Sequence, residues 1–532
     1  MKRMMMVLIA GWLVPAVAAA DADLWELGKA NRDTLTVSTL FTAQDVRRHL
    51  FSDEGLDKAI AWCKATGITR VFIEEYRDKY WAQRPAIEKA RDRFRAAGIA
   101  ADGCVTTTQI GKASGGWQGI SCFTDKATQD EVQKIFEFSA SIFDQIMIDD
   151  FWFTDCKCEE CAKAKGNLSW GEYRCQLMDR VSRERIQEPA RKVNPKVKII
   201  IKYPQWYDDF HNRGYDVIGE TRDFDWIWVG TETRDYNDKQ WGGKVQYEAY
   251  YIMRWLGEIG GPKCDGGWFD WLGTTEKTYL EQANQTILAG SKEMMLFCYG
   301  GLQGTTGPAN VVNLRKEMPG LFELARLIKG KPIRGVAAPK PPSSDAGKEM
   351  YVYDFVGMMG IPLVPTATVD PKAATAFYPV HVLKDTQFGD KLKAMLAAGK
   401  PVLITDGLAE KIGAIEGANK PAILKVKGEP KLLLEISREQ LAAIRGPLLK
   451  PFGLAFDAPN KVALYLFGED LIAVENFNDE PVSTTLQFEK AVKAKSRLVI
   501  PAGGEGTLTE GEKKVQVEIS PRTLVVIQVD KM

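Results

Sequence analysis

Carboxylates and cysteines are the residues of this chain that could do chemistry. Histidine, the usual general base, occurs only three times (His49, His211, His381) in 532 residues. Acids gather instead at the ends of short apolar runs. One run ends Phe72-Ile73-Glu74-Glu75-Tyr76 and another Ile146-Met147-Ile148-Asp149-Asp150-Phe151-Trp152; a third is followed by Thr231-Glu232 and a fourth ends Trp268-Phe269-Asp270-Trp271. Two carboxyl groups flanking a cleft can cleave a glycosidic bond, one protonating the leaving oxygen while the other attacks the sugar or activates water. Apart from Trp12, every tryptophan lies between Trp25 and Trp271. Such flat apolar faces suit the C–H surfaces of sugar rings.

A single Asp after a strand often only caps a helix or makes a turn. Four acids ending four runs in one tryptophan-rich region are harder to read that way. Asp150 is the expected catalytic residue, with Asp270 ranked ahead of Glu232 as its partner. Successive strand side chains alternate, so Asp149 and Asp150 are not expected to face the site together; Asp149 would orient a neighbour or bind a sugar hydroxyl. Glu75, Trp152, Lys202, Tyr203, Trp271 and Tyr299, all at run ends, complete the expected substrate contacts.

The cysteines form a second constellation. Cys156-Lys-Cys158-Glu-Glu-Cys161 puts three thiolates within six residues, a spacing that holds a tetrahedral zinc once a fourth ligand arrives. Cys122, Cys104 and Cys175 are the candidates, and Cys122 is favoured because it follows the third strand of the arrangement described next. A zinc with four protein ligands is structural and leaves no position for a reacting water. The competing reading is one local disulfide and a free thiol. The total of nine cysteines is odd, which fits a full disulfide set poorly.

These residues need a frame. Eight β-like runs (35–40, 70–74, 100–106, 145–149, 198–202, 226–230, 267–271, 294–299) alternate with amphipathic segments such as 53–66, 86–97, 130–143 and 171–193. This is the pattern of the α/β class, a (β/α)8 TIM barrel whose active site lies at the carboxyl ends of the strands. An open doubly wound sheet is the alternative, but no Gly-rich fingerprint follows the first strand, and no organic cofactor is expected. The barrel is assigned to 21–330 and a Pro/Gly/Ser-rich linker to 331–347. A small α/β domain takes 348–450. Short strands with turns from 451 to 532 predict a C-terminal all-β sandwich.

Composition sets the remaining bounds. With 45% hydrophobic and 26% charged residues, and 70 basic against 70 acidic, the chain reads as globular, with no field to attract nucleic acid or anionic lipid. Residues 1–20 read as a signal peptide: Lys2 and Arg3, an apolar run from Met4 to Val17, then Ala18-Ala19-Ala20. Export to the periplasm or the extracellular space is expected, without stable membrane insertion once the signal is cleaved.

Taken together, the barrel, the strand-four acid and the cysteines resemble the (β/α)8 glycoside hydrolases of the family 42 β-galactosidase type. Asp150 followed by Cys156, Cys158 and Cys161, with Cys122 before the helix predicted at 130–143, is similar to that family's acid and zinc loop. The resemblance implies a structural Zn2+ on those four cysteines, an amidotransferase-like shape for the middle domain, and a homo-trimer through it. The chain departs where the family has Asn-Glu, carrying Asp149-Asp150, and where the family has a strand-seven Glu, carrying Asp270. In another barrel clan the strand-four Asp is the nucleophile and a strand-six acid the proton donor, which would assign Asp150 and Glu232. The reading is an exported glycoside hydrolase acting on an oligo- or polysaccharide. The alternative is a non-catalytic carbohydrate-binding barrel, and a metal-dependent hydrolase or deacetylase ranks third.

Overall fold

The computed structural model describes residues 23–415 and 418–531. The expected signal segment, 1–20, lies outside the described residues. Eight parallel strands close into a barrel: β1 (Thr36–Phe41), β2 (Arg70–Arg77), β3 (Ala100–Val105), β4 (Gln145–Ile148), β5 (Lys198–Tyr203), β6 (Trp226–Gly230), β7 (Cys264–Asp270) and β8 (Glu293–Phe297). Each pairs with its sequence neighbours, and β8 pairs with β1, with Thr36 opposite Glu293. All eight coincide with predicted runs. They read clearly because a barrel strand is buried on both faces and is therefore apolar throughout.

Helices follow the strands on the outside, among them Asp53–Ala65, Arg84–Ala96, Lys126–Ala140, Trp170–Val181, Tyr247–Gly260, Glu276–Leu288 and Gly307–Ile328. Local signals set their starts: Ser52, Asp125, Ser169 and Thr275 each accept a backbone N–H at the first turn. Leu40, Phe72, Cys104, Met147, Ile200, Trp228, Trp268 and Met295 pack inside the barrel as a core of their own. Among the described residues no helix is long and apolar enough to cross a membrane.

The segment 331–347 is not the linker its composition suggests. Ile333–Arg334 pairs with Val462–Phe467 at the edge of the C-terminal sheet, and Val336–Pro339 is an inner strand of the small domain. Gly335 lets the chain change sheets: its φ is +151°, and a Cβ there would meet Pro362 O at 2.0 Å. Five parallel strands form the small α/β unit, and two antiparallel sheets of five and four strands form the terminal sandwich.

Candidate active site

The layers inside the barrel change from apolar to charged toward the carboxyl ends. At the opposite end Arg70 bridges Asp102 and Glu293, both at 2.8 Å. The apolar core lies above, and beyond it come Glu74, Thr106, Asp149, Lys202, Glu232 and Asp270.

Lys202 is the hub. Its side chain is 1% exposed, and a buried ammonium needs anionic partners. Nζ donates to Glu232 Oε1 at 2.7 Å and to Asp150 Oδ2 at 2.9 Å, lies 3.8 Å from Asp149 Oδ1, and sits 4.0 Å from the centre of the Trp268 ring. Asp149 belongs to a second set. It accepts from Arg77 Nη2 at 2.7 Å and the Asp150 amide at 2.8 Å, and lies 2.9 Å from Thr106 Oγ1. Arg77 also binds Glu74 at 2.9 Å, Glu74 accepts from the Ala43 amide, and the single Thr106 hydroxyl lies within hydrogen-bond reach of both Glu74 and Asp149, so it can donate to one of them at a time. Asp270 is held by Arg234 through both oxygens, at 2.7 and 3.1 Å.

Asp149 and Asp150 both reach Lys202, contrary to the alternation expected. β4 ends at Ile148, and the Phe151 amide bonds back to Asp149 O at 2.7 Å. That turn breaks the strand geometry on which the expectation rests.

Charge balance explains the protonation pattern. Five carboxyl groups (Glu74, Asp149, Asp150, Glu232, Asp270) face three cations (Arg77, Lys202, Arg234), so a buried site of this kind retains a proton. Burial raises the Asp149 carboxyl, but Lys202 and Arg77 outweigh it and hold the group below its ordinary range. Asp150 goes the other way. Burial pushes it up to about 8, Asp149 and Glu232 add to the rise, and Lys202 opposes it. Glu232 is also raised by burial, against the pull of Lys202. Asp150 is the most open of the acids, its side chain 14% exposed against 2% for Asp149 and 4% for Glu232.

Several expected contacts lie elsewhere. Glu75 faces the helix layer, packed between the Gly103 position and Phe143 at a register shift in β2; its neighbour Glu74 faces inward. Trp152 is fully buried against Phe123 and donates to Ser182. Tyr203 packs outward on Phe210 and Tyr215, and Tyr299 packs on Phe41, His49 and Trp62. Trp271 stays near the rim, adjoining Asp270 and lying against Gly301. Glu74, Arg77, Thr106 and Arg234 were not anticipated. Alternation puts Glu74 and Glu75 on opposite faces without saying which face is inward, and no signal in the sequence pairs Arg77 with Asp149, 72 residues away.

The four cysteines do converge. Ligand atoms of Cys122, Cys156, Cys158 and Cys161 lie within 4.8 Å of one another. Cys122 Sγ is 3.5 Å from Cys161 and 3.8 Å from Cys158, and Cys158 is 3.6 Å from Cys161. Sulfurs tetrahedral around zinc at about 2.3 Å are separated by about 3.8 Å, so the cluster fits such an ion. None of the nine cysteines is bridged, and these separations within the cluster, 3.5–3.8 Å, exceed the about 2.05 Å of a disulfide, which disfavours the local-disulfide reading. Cys104 lies in the barrel core and Cys175 faces His211 O.

A closed (β/α)8 barrel with carboxylates crowded at its carboxyl-end rim is the architecture of a barrel glycosidase. Residues 23–344 match the family described as "Probable glycosyl hydrolase, catalytic domain", and the chain belongs to that family. An uncharacterized protein of Saccharolobus solfataricus is 29% identical over 367 residues, which cover 60% of this chain; the match spans 58% of that relative's length. The solved structure of α-L-fucosidase isoenzyme 2 from Paenibacillus thiaminolyticus overlays with a TM-score of 0.62 at 11% identity, covering 94% of this chain and 99% of that one. The likeness is one of fold.

Proposed function

We propose that the chain is an exported glycoside hydrolase that cleaves O-glycosidic bonds of an oligo- or polysaccharide with retention of anomeric configuration, using Asp150 and Glu232. One observation carries this reading: both acids bind the same Lys202 nitrogen. Because both bonds meet at one nitrogen, the two bound oxygens lie no more than about 5.6 Å apart, short of the about 6.5–9.5 Å by which an inverting pair makes room for its water, which favours double displacement. Asp150, open to the cleft and protonated near neutral pH, gives its proton to the glycosidic oxygen. Glu232 attacks the anomeric carbon as the leaving group departs, forming a glycosyl ester. Asp150, now ionised, takes a proton from water, which displaces Glu232 and completes the cycle. Asp149 positions Asp150 through its amide, and Asp270 is committed to Arg234, which favours Glu232 as the partner.

The apolar run and the small-residue cleavage sequence at 4–20 support export. The cysteine loop supports a structural zinc and the kinship with the family 42 type. The ion would brace the loops after β3 and β4, and no step passes through it.

A 2-deoxy-2-fluoro glycoside with a good leaving group tests the pair, because it slows breakdown of the glycosyl ester. Peptide mapping should find the sugar on Glu232, and NMR of the first product should show the retained anomer. Label on Asp270 or Asp150, or an inverted product, would contradict the assignment.

A further inference from the structure

Beside the acids, on the side of β2, β3 and β4, lies a cleft of about 550 Å³ lined by Arg77, Asp78, Thr108, Gln109, Trp117 and Phe151. It is continuous with the site through two residues. Arg77 binds Asp149, and Phe151 follows Asp150 in the chain. Nothing in the mechanism above uses it.

Trp117 sets its character. Fully buried tryptophans in the barrel include Trp152, Trp228, Trp255 and Trp268, whereas Trp117 is 49% exposed and Trp241 38%. Both exposed rings stand on loops that follow strand carboxyl ends. Trp117 is not a loose side chain. Its ring stacks on Phe153 at 6.2 Å and lies 5.8 Å from Phe151. Its amide donates to Asp155 at 2.9 Å, Ser114 donates to the same carboxylate at 2.5 Å, and the Gly115 amide donates to Cys156 Sγ at 3.4 Å. An Ala113–Ser121 bridge closes the loop. An apolar ring is thus held out to water by a dedicated set of bonds.

The polar lining specifies neutral partners. Thr108 and Gln109 offer hydroxyl and amide groups, and Asp78 offers a carboxylate. The cation of the lining, Arg77, is committed to Glu74 and Asp149. Asp78 and Gln109 are non-glycine residues held at φ of +52° and +53°, so the backbone at the mouth takes an uncommon conformation. An aromatic platform with mixed hydroxyl, amide and carboxylate groups, and no uncommitted cation, recognises the C–H face and hydroxyls of an uncharged sugar ring.

We infer that this cleft is a binding subsite for a further sugar of the substrate, with Trp117 as its platform, so that the enzyme takes neutral oligosaccharides rather than isolated single-sugar glycosides. The inference rests on the reading of the site as a glycosidase for its direction along the chain. Binding at the cleft does not require turnover.

The test measures binding to the full-length chain by isothermal titration calorimetry. The probes are xylo-, manno-, gluco- and galacto-configured tetrasaccharides, the matching monosaccharides, and an acidic tetragalacturonide. At least one neutral tetrasaccharide should bind more than tenfold tighter than its monosaccharide. Trp117→Ala should lower that ratio by about tenfold, Trp117→Phe should restore part of it, and Ile423→Ala, exposed on the small domain, should preserve it. A ratio unaffected by Trp117→Ala, preference for the acidic probe, or no oligosaccharide binding would each overturn the inference. Trp117-dependent binding without hydrolysis of any glycan would sustain the subsite while refuting the proposed reaction.

Discussion

Burial and the neighbouring Asp149 and Glu232 carboxylates push the Asp150 carboxyl up, against the pull of Lys202. The Asp150 value of about 8 makes a kinetic prediction. If Asp150 is the general acid of the proposed reaction, its protonated form is the active one, and kcat/KM should be sustained to neutral pH and fall about tenfold per unit above about 8. Asp150→Asn should lower turnover by roughly 10²–10⁴ and remove that alkaline limb. Lys202→Met would strip the shared cation from three carboxylates. It should cost roughly 3–5 kcal/mol of stability, read by denaturant unfolding, and move the limb of the remaining activity to higher pH, since Lys202 is what pulls Asp150 down. An unmoved limb would mean that another group titrates. At this scale the sequence was informative about residue type and poor about direction. Asp149, Asp150, Lys202, Glu232 and Asp270 are all legible from their strand ends. Glu74 versus Glu75, and Lys202 versus Tyr203, depend on which parity faces inward, and the periodicity of a strand buried on both faces does not reveal it.

Among the elements, the eight strands were legible because each is a short apolar run between turn signals. The end of β4 was not, because the turn at Asp149–Phe151 is a backbone hydrogen bond with no residue signature. The segment 331–347 misled through composition: its prolines and glycines serve a change of sheet at Gly335. The cysteine loop behaves as its spacing suggests. Cys156 Sγ accepts the Gly115 amide and Cys122 directly follows the Ala113–Ser121 bridge, so the cysteine cluster and Trp117 share one support. Purified protein should contain about one zinc per chain by elemental analysis. Cys158→Ser should abolish that zinc and make the 113–121 loop the first site of limited proteolysis. Full zinc content in the variant would exclude the four-thiolate site.

Across the whole molecule, the three units pack through buried polar contacts that no local pattern foretells. Asp208, after β5, accepts from His381 at 3.0 Å and from the Tyr351 amide at 2.7 Å, and lies 3.5 Å from Lys340; the Asp208, His381 and Lys340 side chains are buried. Glu475 of the sandwich binds Asn284 at 3.3 Å and also Gln285, both on the barrel helix Glu276–Leu288. Burial opposes ionisation of Asp208, but His381 and Lys340 carry it down from 3.8 to about 2. Its folded value is depressed, so its contribution is complete above about pH 4 and is lost as pH falls toward 2. Asp208→Asn should cost roughly 3–5 kcal/mol at neutral pH, by leaving two buried bases without their acid, and should flatten the loss of stability between pH 4 and 2. An unchanged acid profile would show that the interface does not depend on this carboxylate.

The most direct test of the central claim is release of reducing sugar from a broad panel of neutral oligo- and polysaccharides, comparing wild type with Asp150→Asn. Release by the wild type that falls at least a hundredfold in the variant is the predicted result. Equal release by both proteins would show that Asp150 is not the acid. No release by either, with sugar binding intact, would make the barrel a carbohydrate-binding protein and contradict the account.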